Sequence, residues 1–367
     1  MITRLEARDF RNLAPLAWEP AAGRHLLLGA NGAGKTSLLE AVYVLSTTRS
    51  FRTRQIADCA RHGAPGFRVG GEAEGEARVH LAVGWRSGGA GGERWRSVNG
   101  RATSLAEHLE VLPVVAWEAA EADIPTGAPA LRRRFLDRGV VGSRPAALAA
   151  LERYREALRA KRELLARPRP GGDAAQLATW NGLLAEAAAE VAALRGAYAR
   201  RLAAALAGLV EEAGLGFPPI AVRYRPSPAV AGEGAAAIAE RLEKRADEER
   251  RRGLPLIGPH RDDLEILWGG HAVRGTVSAG ERKALSLLLC AAHGRVLTLA
   301  GREPVYLLDD LDAELAAETL ARLWRVFSLA RQLVASSNRP AVWQGLDAEW
   351  RWTVAAGELA PRAHPEG

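Results

Sequence analysis

The chain runs to 367 residues, 48% of them hydrophobic and 25% charged, a globular composition long enough for two or three domains or for one large domain carrying an insertion. Fifty basic residues against 43 acidic ones leave a formal charge of +7, which favours an anionic partner, nucleic acid foremost. The longest apolar run, Ala284 to Ala292, is closed off by His293 and Arg295, short of the roughly 18 residues of a membrane span. No targeting stretch stands ahead of the strand-like Ile2 to Ala7, so a cytoplasmic protein without membrane contact is expected.

In chain order, strands are predicted at Ile2–Ala7, Arg24–Gly29, Phe67–Glu72, Ala77–Trp85, Arg94–Val98 and Val111–Trp117, with a tight turn at Asn99-Gly100. One strong helix opens at Gly34. From Pro145 to about Gly214, Leu and Ala recur at helical spacing (Leu151, Tyr154, Leu158; Leu184, Val191, Leu194), which predicts two long helices. Prolines and glycines between Arg167 and Asp173 let the second double back on the first as an antiparallel arm. A short strand at Ile220–Tyr224 and a helix over Ala235–Arg252 follow. Buried strands are predicted at Pro304–Asp310 and Gln332–Ser337, with a helix around Thr319–Leu329 between them. The fold class is therefore α/β: a head built from residues 1–140 and 253–367, interrupted by a helical arm and lobe over 141–252.

The stretch Gly29-Ala30-Asn31-Gly32-Ala33-Gly34-Lys35-Thr36-Ser37 has the full pattern of a phosphate loop. A strand feeds it, Gly32 and Gly34 permit unusual backbone angles, and amide groups converge on phosphate oxygens at a helix N-terminus. Lys35 is expected to be a solvent-accessible ligand of the β- and γ-phosphates of ATP, and Thr36 a ligand of Mg²⁺. Only three further lysines, Lys161, Lys244 and Lys283, occur in this arginine-rich chain. Cys59 and Cys290 lack metal-ligand or redox spacing and read as ordinary thiols.

The acidic end of "VYLLDD" supplies what such a loop requires, Asp309 beside Mg²⁺ and Asp310 beside an attacking water. Lys35 and Asp309 are separated by the whole helical arm, unlike in a compact nucleotide-binding domain. Between them Ser278-Ala279-Gly280-Glu281 precedes a long apolar helix. Alone this is a helix cap; placed between a phosphate loop and an acidic strand, it matches the signature of ABC ATPases.

Taken together, "FRNL" (Phe10–Leu13), the phosphate loop with "TSLLEAVY", "RSFRT" (Arg49–Thr53), "RRRFLD" (Arg132–Asp137), "GPHRDDL" (Gly258–Leu264), "SAGERK" (Ser278–Lys283) and "LLDD" (Leu307–Asp310) resemble the RecF family of bacterial recombination proteins, in that order and across most of the chain. The resemblance implies an SMC-like ABC ATPase that dimerises around ATP, binds double-stranded DNA and single-strand/double-strand junctions, and assists recombinase loading at gapped DNA with RecO and RecR. In such a dimer Ser278 and the Gly280 amide would reach the γ-phosphate held by the other subunit.

Departures from the family pattern favour binding over fast turnover. The signature has Val277, Ala279 and Glu281 in place of leucine, glycine and glutamine, and an acid near bound phosphate is electrostatically awkward. Ala313-Glu314-Leu315-Ala316 stands where the family has S-E-L-D, Asp310 replaces the glutamate of many ABC ATPases, and Ser336-Ser337-Asn338 offers no histidine to sense γ-phosphate. The segment Trp117–Gly127 lacks the Pro-Glu-Asp expected ahead of the basic triplet. Arg132, Arg133 and Arg134 read either as a DNA-facing patch or as partners of nearby acids, and His260 and Arg261 either as a capped turn or as a DNA- or nucleotide-proximal pair. Two rivals to a DNA-dependent ATPase stay open: the ATP-binding subunit of a membrane transporter, and a nucleotide-gated DNA scaffold that does not hydrolyse.

Overall fold

In the computed structural model, residues 1–75, 77–89, 91–166, 173–227, 230, 232 and 234–362 are described. The first part of the chain contains β1 (Ile2–Arg8), β2 (Leu16–Trp18), β3 (Gly23–Leu28), α1 (Lys35–Thr47), β4 (Gly66–Glu74), β5 (Arg78–Arg86), β6 (Glu93–Val98), β7 (Arg101–Ala102), α2 (Leu105–Val111) and β8 (Val114–Trp117). The middle holds α3 (Pro129–Ser143), α4 (Leu148–Ala166), α5 (Asp173–Ala213), β9 (Ile220–Arg225), α6 (Ala235–Lys244), α7 (Ala246–Arg252), β10 (Asp263–Trp268) and β11 (His271–Ala272). The last part adds α8 (Ala279–Leu299), β12 (Val305–Leu308), α9 (Ala317–Val326), β13 (Gln332–Ser337), β14 (Trp350–Ala355) and β15 (Glu358–Pro361).

Two compact units result, one of Met1–Asp123, Leu209–Gly216 and Ser278–Gly367, the other of Ile124–Gly208 and Phe217–Val277. The breaks fall at 123/124 and 277/278, whereas the sequence predicts a division at 140/141 and 252/253. The reason is that α3 packs on β10 and Arg132 pairs with Asp263, which binds both flanks of the arm into the second unit.

The first unit is built on two sheets. One has the order β15-β14-β3-β13-β12-β8, parallel from β14 to β8, and the other is the antiparallel β2-β1-β4-β5-β6-β7. Strands β12 and β13 are buried at every residue, as a parallel sheet covered on both faces requires. Helix α1 lies between the sheets, with Leu38, Leu39, Val42 and Leu45 in one core with Val69 and Leu81 of the antiparallel sheet and Leu27, Leu307 and Val334 of the parallel one. Its N-terminus thereby meets the end of β3, and the acids after β12 come up beside it. Asn99 and Gly100 both have positive φ (50° and 75°), the hairpin turn expected between β6 and β7.

Two expectations are corrected. Val111–Trp117 is not one strand: Ser104 and Glu107 close a capping box that starts α2, and the strand is only Val114–Trp117. The helix over Ala235–Arg252 is two, joined at Arg245.

In the second unit α4, α5 and α6 share a core of Leu151, Tyr154, Leu158, Leu184, Ala188, Val191, Ile238 and Leu242, and Arg153 on α4 pairs with Glu190 on α5 at 2.6 Å. The expected turn between the two long helices falls on residues 167–172, which lie outside the described residues. A buried ion pair, Lys161 to Glu249 at 2.6 Å, fastens α7 to α4. The sheet β11-β10-β9 completes this unit.

Packing density differs sharply between two glycines of this unit. A Cβ on Gly139 would lie 2.0 Å from the Tyr198 ring, while one on Gly182 meets nothing within 4 Å. Gly139→Ala is expected to destabilise by about 1–3 kcal/mol through overpacking, and Gly182→Ala to stabilise by about 0.5–1 kcal/mol through helix propensity. Urea unfolding followed by circular dichroism checks both.

Candidate nucleotide site

Each glycine of the loop after β3 has a physical reason. A Cβ on Gly29 would sit 2.2 Å from the Val354 carbonyl of the neighbouring β14, and Gly32 and Gly34 adopt φ of 77° and 116°. Gly34 caps α1 at its N-terminus. Lys35 is not the solvent-accessible group expected: it is 5% exposed, and its ammonium donates to the carbonyls of Gly29 (2.8 Å) and Ala30 (3.0 Å), shaping the loop itself. The Ser37 hydroxyl donates to Asn12 Oδ1 at 2.7 Å, and Asn12 Nδ2 donates to the Gly32 carbonyl at 2.7 Å, so Ser37 braces the loop through the "FRNL" segment. Ala33 is buried, its carbonyl accepting from Gly357 N–H at 2.8 Å. Asn31 accepts from Asn338 Nδ2 at 2.8 Å, which places the segment after β13 against the loop.

The two acids stand next to this loop in different states. Asp309 Oδ1 accepts from the Thr36 hydroxyl at 3.0 Å and from the Ser336 hydroxyl at 2.6 Å. Burial, aided by the neighbouring Asp310 charge, pushes the Asp309 carboxyl above the usual carboxylate range, and the two hydroxyls pull it back. Asp310 Oδ1 is buried with no hydrogen-bond partner among the described residues, and its backbone is left-handed, φ 44°. Aspartate takes that conformation more readily than glutamate, which gives a backbone reason for Asp310 at a position where many ABC ATPases carry the longer acid.

A second wall comes from residues whose function sequence reasoning left undefined. Glu40, fully buried on α1, accepts from Arg11 at 2.7 and 2.9 Å, from Ser50 at 2.5 Å and from Arg52 at 3.3 Å. One carboxylate thus gathers "FRNL", "TSLLEAVY" and "RSFRT". Arg11 and Arg52 line a cleft of about 720 Å³ together with Asn12, Lys35, Thr36 and Asp310. Size, two arginines and the loop amides suit it to a nucleoside polyphosphate. Cys59, under this cluster, is a buried thiol pushed up to about 12 by burial.

Ser278 caps α8, and its N–H (2.8 Å) and hydroxyl (2.7 Å) both donate to Glu281 Oε2. These bonds hold the Glu281 carboxyl below the ordinary range. The acid that looked awkward beside phosphate is therefore occupied in a capping box. Gly280 faces the loop after the acids, where the nearest atom to an added Cβ is the Glu314 carbonyl at 3.8 Å. Lys283, one turn on, is 4% exposed and donates to the carbonyls of Asp310 (3.0 Å) and Ala313 (2.5 Å). Desolvation lowers its ammonium to about 8 despite the surrounding carboxylates.

The DNA-binding candidates all lie in the second unit and divide into structural and exposed groups. Arg132 is 8% exposed and holds Asp263 with two bonds of 2.7 and 2.9 Å. Arg133 donates to the Asp262 carbonyl at 2.8 Å. Asp262 is itself buried, accepting from Arg195 (3.0 Å), Ser227 N–H (2.7 Å) and the Tyr224 hydroxyl. Arg195 also pairs with Asp137 at 2.8 Å, so "RRRFLD" and "GPHRDDL" are halves of one buried network. Tyr154 OH donates to His260 Nδ1 at 2.8 Å and His260 Nε2 donates to the Pro255 carbonyl at 3.3 Å, with burial lowering the imidazole to about 4. It is neutral near pH 7 and supplies no positive charge. Arg134 and Arg261 are exposed.

The family model for the RecF/RecN/SMC N-terminal domain matches residues 1–354. A DNA replication and repair protein RecF of Myxococcus xanthus is 33% identical, covering 99% of this chain and 97% of its own length. The chain belongs to the RecF family. A RecF of an Anaeromyxobacter species is 36% identical over 85% of each chain, and that of Acidothermus cellulolyticus 36% identical over 92% of this chain and 93% of its own. Among solved structures, the recombination mediator protein RecF with ATP in the RecFOR pathway is similar at a TM-score of 0.87 and 23% identity, covering 99% of this chain and 97% of that one. An Smc head bound to the C-winged helix domain of ScpA is similar at 0.57 and 15% identity, covering 99% and 98%. This RecF-family chain therefore has the ABC-type α/β fold shared with Smc heads.

For the RecF-family chain, Lys35→Ala is expected to weaken ATP binding by about tenfold or more, since it removes the charged clamp on Gly29 and Ala30 that shapes the loop; calorimetric titration checks it. A second expectation concerns acid. The folded pKa of His260, about 4, lies below the roughly 6.5 of an unfolded histidine. The unfolded chain therefore binds more protons in that window, and His260 makes stability fall as pH drops from about 6.5 toward 4. His260→Gln is expected to flatten this part of a stability-versus-pH curve measured by urea unfolding.

Proposed function

We propose that this chain is an ATP-dependent DNA-binding protein of recombinational DNA repair, a slow ATPase that dimerises around ATP. The observation that carries the reading is the convergence of the Thr36 hydroxyl (3.0 Å) and the Ser336 hydroxyl (2.6 Å) on Asp309 Oδ1 beside the phosphate loop, with an Asp310 oxygen adjacent that has no partner among the described residues. The Thr36 hydroxyl and Asp309 carboxylate fit Mg²⁺, a hard cation that takes few protein ligands and fills its shell with phosphate oxygens and water. Bound there, it supplies charge neutralisation for the phosphates.

The chain's own groups do the rest. Loop amides and Lys35 hold the phosphates, Arg11 and Arg52 form the opposite wall, and Asp310 orients the attacking water and takes its proton. Release of the γ-phosphate removes contacts that favour the closed dimer, so hydrolysis opens it. Ser278 and the Gly280 amide act across the dimer on the partner's γ-phosphate, Ser278 leaving its bond to Glu281 to do so. Double-stranded DNA and single-strand/double-strand junctions are the anionic partners, with Arg134 and Arg261 as the exposed contacts in place of the whole basic triplet. RecO and RecR are the protein partners, and recombinase loading at gapped DNA the outcome. Membership in the RecF family sets the transporter reading aside. A scaffold without hydrolysis stays in view because Ala313 and Ala316 lack side chains the family uses between subunits.

The two acids separate enzyme from scaffold. With ATP, Mg²⁺ and duplex DNA, Asp310→Asn is expected to cut single-turnover hydrolysis by about a hundredfold or more while lengthening the life of the dimer seen by light scattering. Asp309→Asn is expected to weaken dimer formation itself. Wild-type hydrolysis in Asp310→Asn removes the assignment of the base, and a wild type that hydrolyses nothing replaces the enzyme with the scaffold.

A further inference from the structure

The loop that follows the two acids is under backbone strain at both ends. Asp310 and Glu314, neither of them glycine, have φ of 44° and 62°. A loop in this state keeps its shape only where surrounding groups hold it. Some of the holding comes from β13's end: Ser337 Oγ donates to the buried Asp312 carboxylate at 3.0 Å, and Arg339 to the Asp312 carbonyl at 3.2 Å. On the α8 side the Lys283 ammonium bonds the carbonyl of Asp310 and that of Ala313, three residues on.

Lys283 is itself fixed from behind. Its ammonium lies 4.8 Å from the centre of the Trp117 ring, and Trp117 Nε1 donates to Ser286 Oγ at 2.9 Å, whose hydroxyl donates to the Lys283 carbonyl at 2.7 Å. Asp309, Asp310, Asp312 and Glu314 surround it with negative charge. A compact ammonium can bond two carbonyls that diverge from one point, a geometry that a planar guanidinium matches poorly. The chain otherwise relies on arginine, and lysine appears only four times.

We infer that Lys283 is a positioning residue for the ATPase reaction, holding the Asp310 turn in its strained conformation and tying it to the start of α8, where Ser278 and Gly280 lie. This rests on the reading of Asp310 as the group that orients water. Because Ser278 serves the partner's nucleotide and Asp310 serves its own, Lys283 is a polar link between the two sites within one subunit.

Lys283→Met and Lys283→Arg test it in the full-length protein by three measurements. Without nucleotide, amide hydrogen exchange over 310–315 is expected to quicken about tenfold or more in Lys283→Met, while the bodies of β12 and α8 keep their protection. ATP affinity by calorimetry is expected to stay within about twofold, and the single-turnover rate to fall about tenfold or more, the signature of lost orientation with unchanged binding. Lys283→Arg is expected to restore part of the protection and of the rate together. Unchanged exchange over 310–315, or unchanged rate in Lys283→Met, overturns the inference. Loss of protection throughout α8 and β12 also overturns it, since the lysine would then serve the fold rather than the turn. If the wild type hydrolyses no ATP, the enzymatic reading falls, and the exchange measurement alone decides whether Lys283 holds the turn.

Discussion

Helix α1 is enclosed by two sheets, and the rest of the nucleotide site depends on that enclosure. Its apolar residues face β4 and β5 on one side and β3, β12 and β13 on the other, so the helix has no freedom to slide or roll. The chemical groups along it inherit that rigidity: the amides and Lys35 at its start, and Glu40 in its middle. A carboxylate buried as Glu40 is would be costly alone; its cost is offset by two guanidinium groups and a hydroxyl, and in return it fixes the direction in which Arg11 and Arg52 face the cleft.

The use of lysine follows the same logic. Three of the chain's lysines, Lys35, Lys161 and Lys283, are buried, while Lys244 is exposed and most other basic residues are arginine. Lys35 and Lys283 each bond two backbone carbonyls, of the loop and of the turn, and Lys161 pairs with the Glu249 carboxylate. A small cation on a flexible stem fits such places, and the larger fork of arginine suits the bidentate pairs seen at Arg11 and Arg132.

Much of this was legible in the sequence because local chemistry and fold agree there. The phosphate loop, β13 and the two long helices were readable from glycine placement, apolar runs and helical spacing. Membership of the family was readable from the order of seven short motifs. The Ser104/Glu107 box that starts α2 is a local signal, whereas nothing local tells that Arg132 points at Asp263, and the loop's spacing does not tell that Lys35 folds back on it. Arginine triplets look alike in sequence whether they meet DNA or a buried acid, and only the pairing of α3 with β10 separates Arg132 from Arg134.

The order of strands in the parallel sheet bears on how the protein is made. Strand β3, which delivers the phosphate loop, lies between β13 and β14, both drawn from the far end of the chain, and Gly357 N–H closes on the Ala33 carbonyl. During vectorial synthesis the loop therefore leaves the ribosome long before either neighbouring strand exists. The antiparallel sheet draws all its strands from the first 102 residues and can form early, while the nucleotide pocket must wait for the last strands, a high-contact-order step that leaves an apolar sheet edge open in the nascent chain. The time for which that edge stays unpaired is set by how fast the residues up to the end of β14 are made.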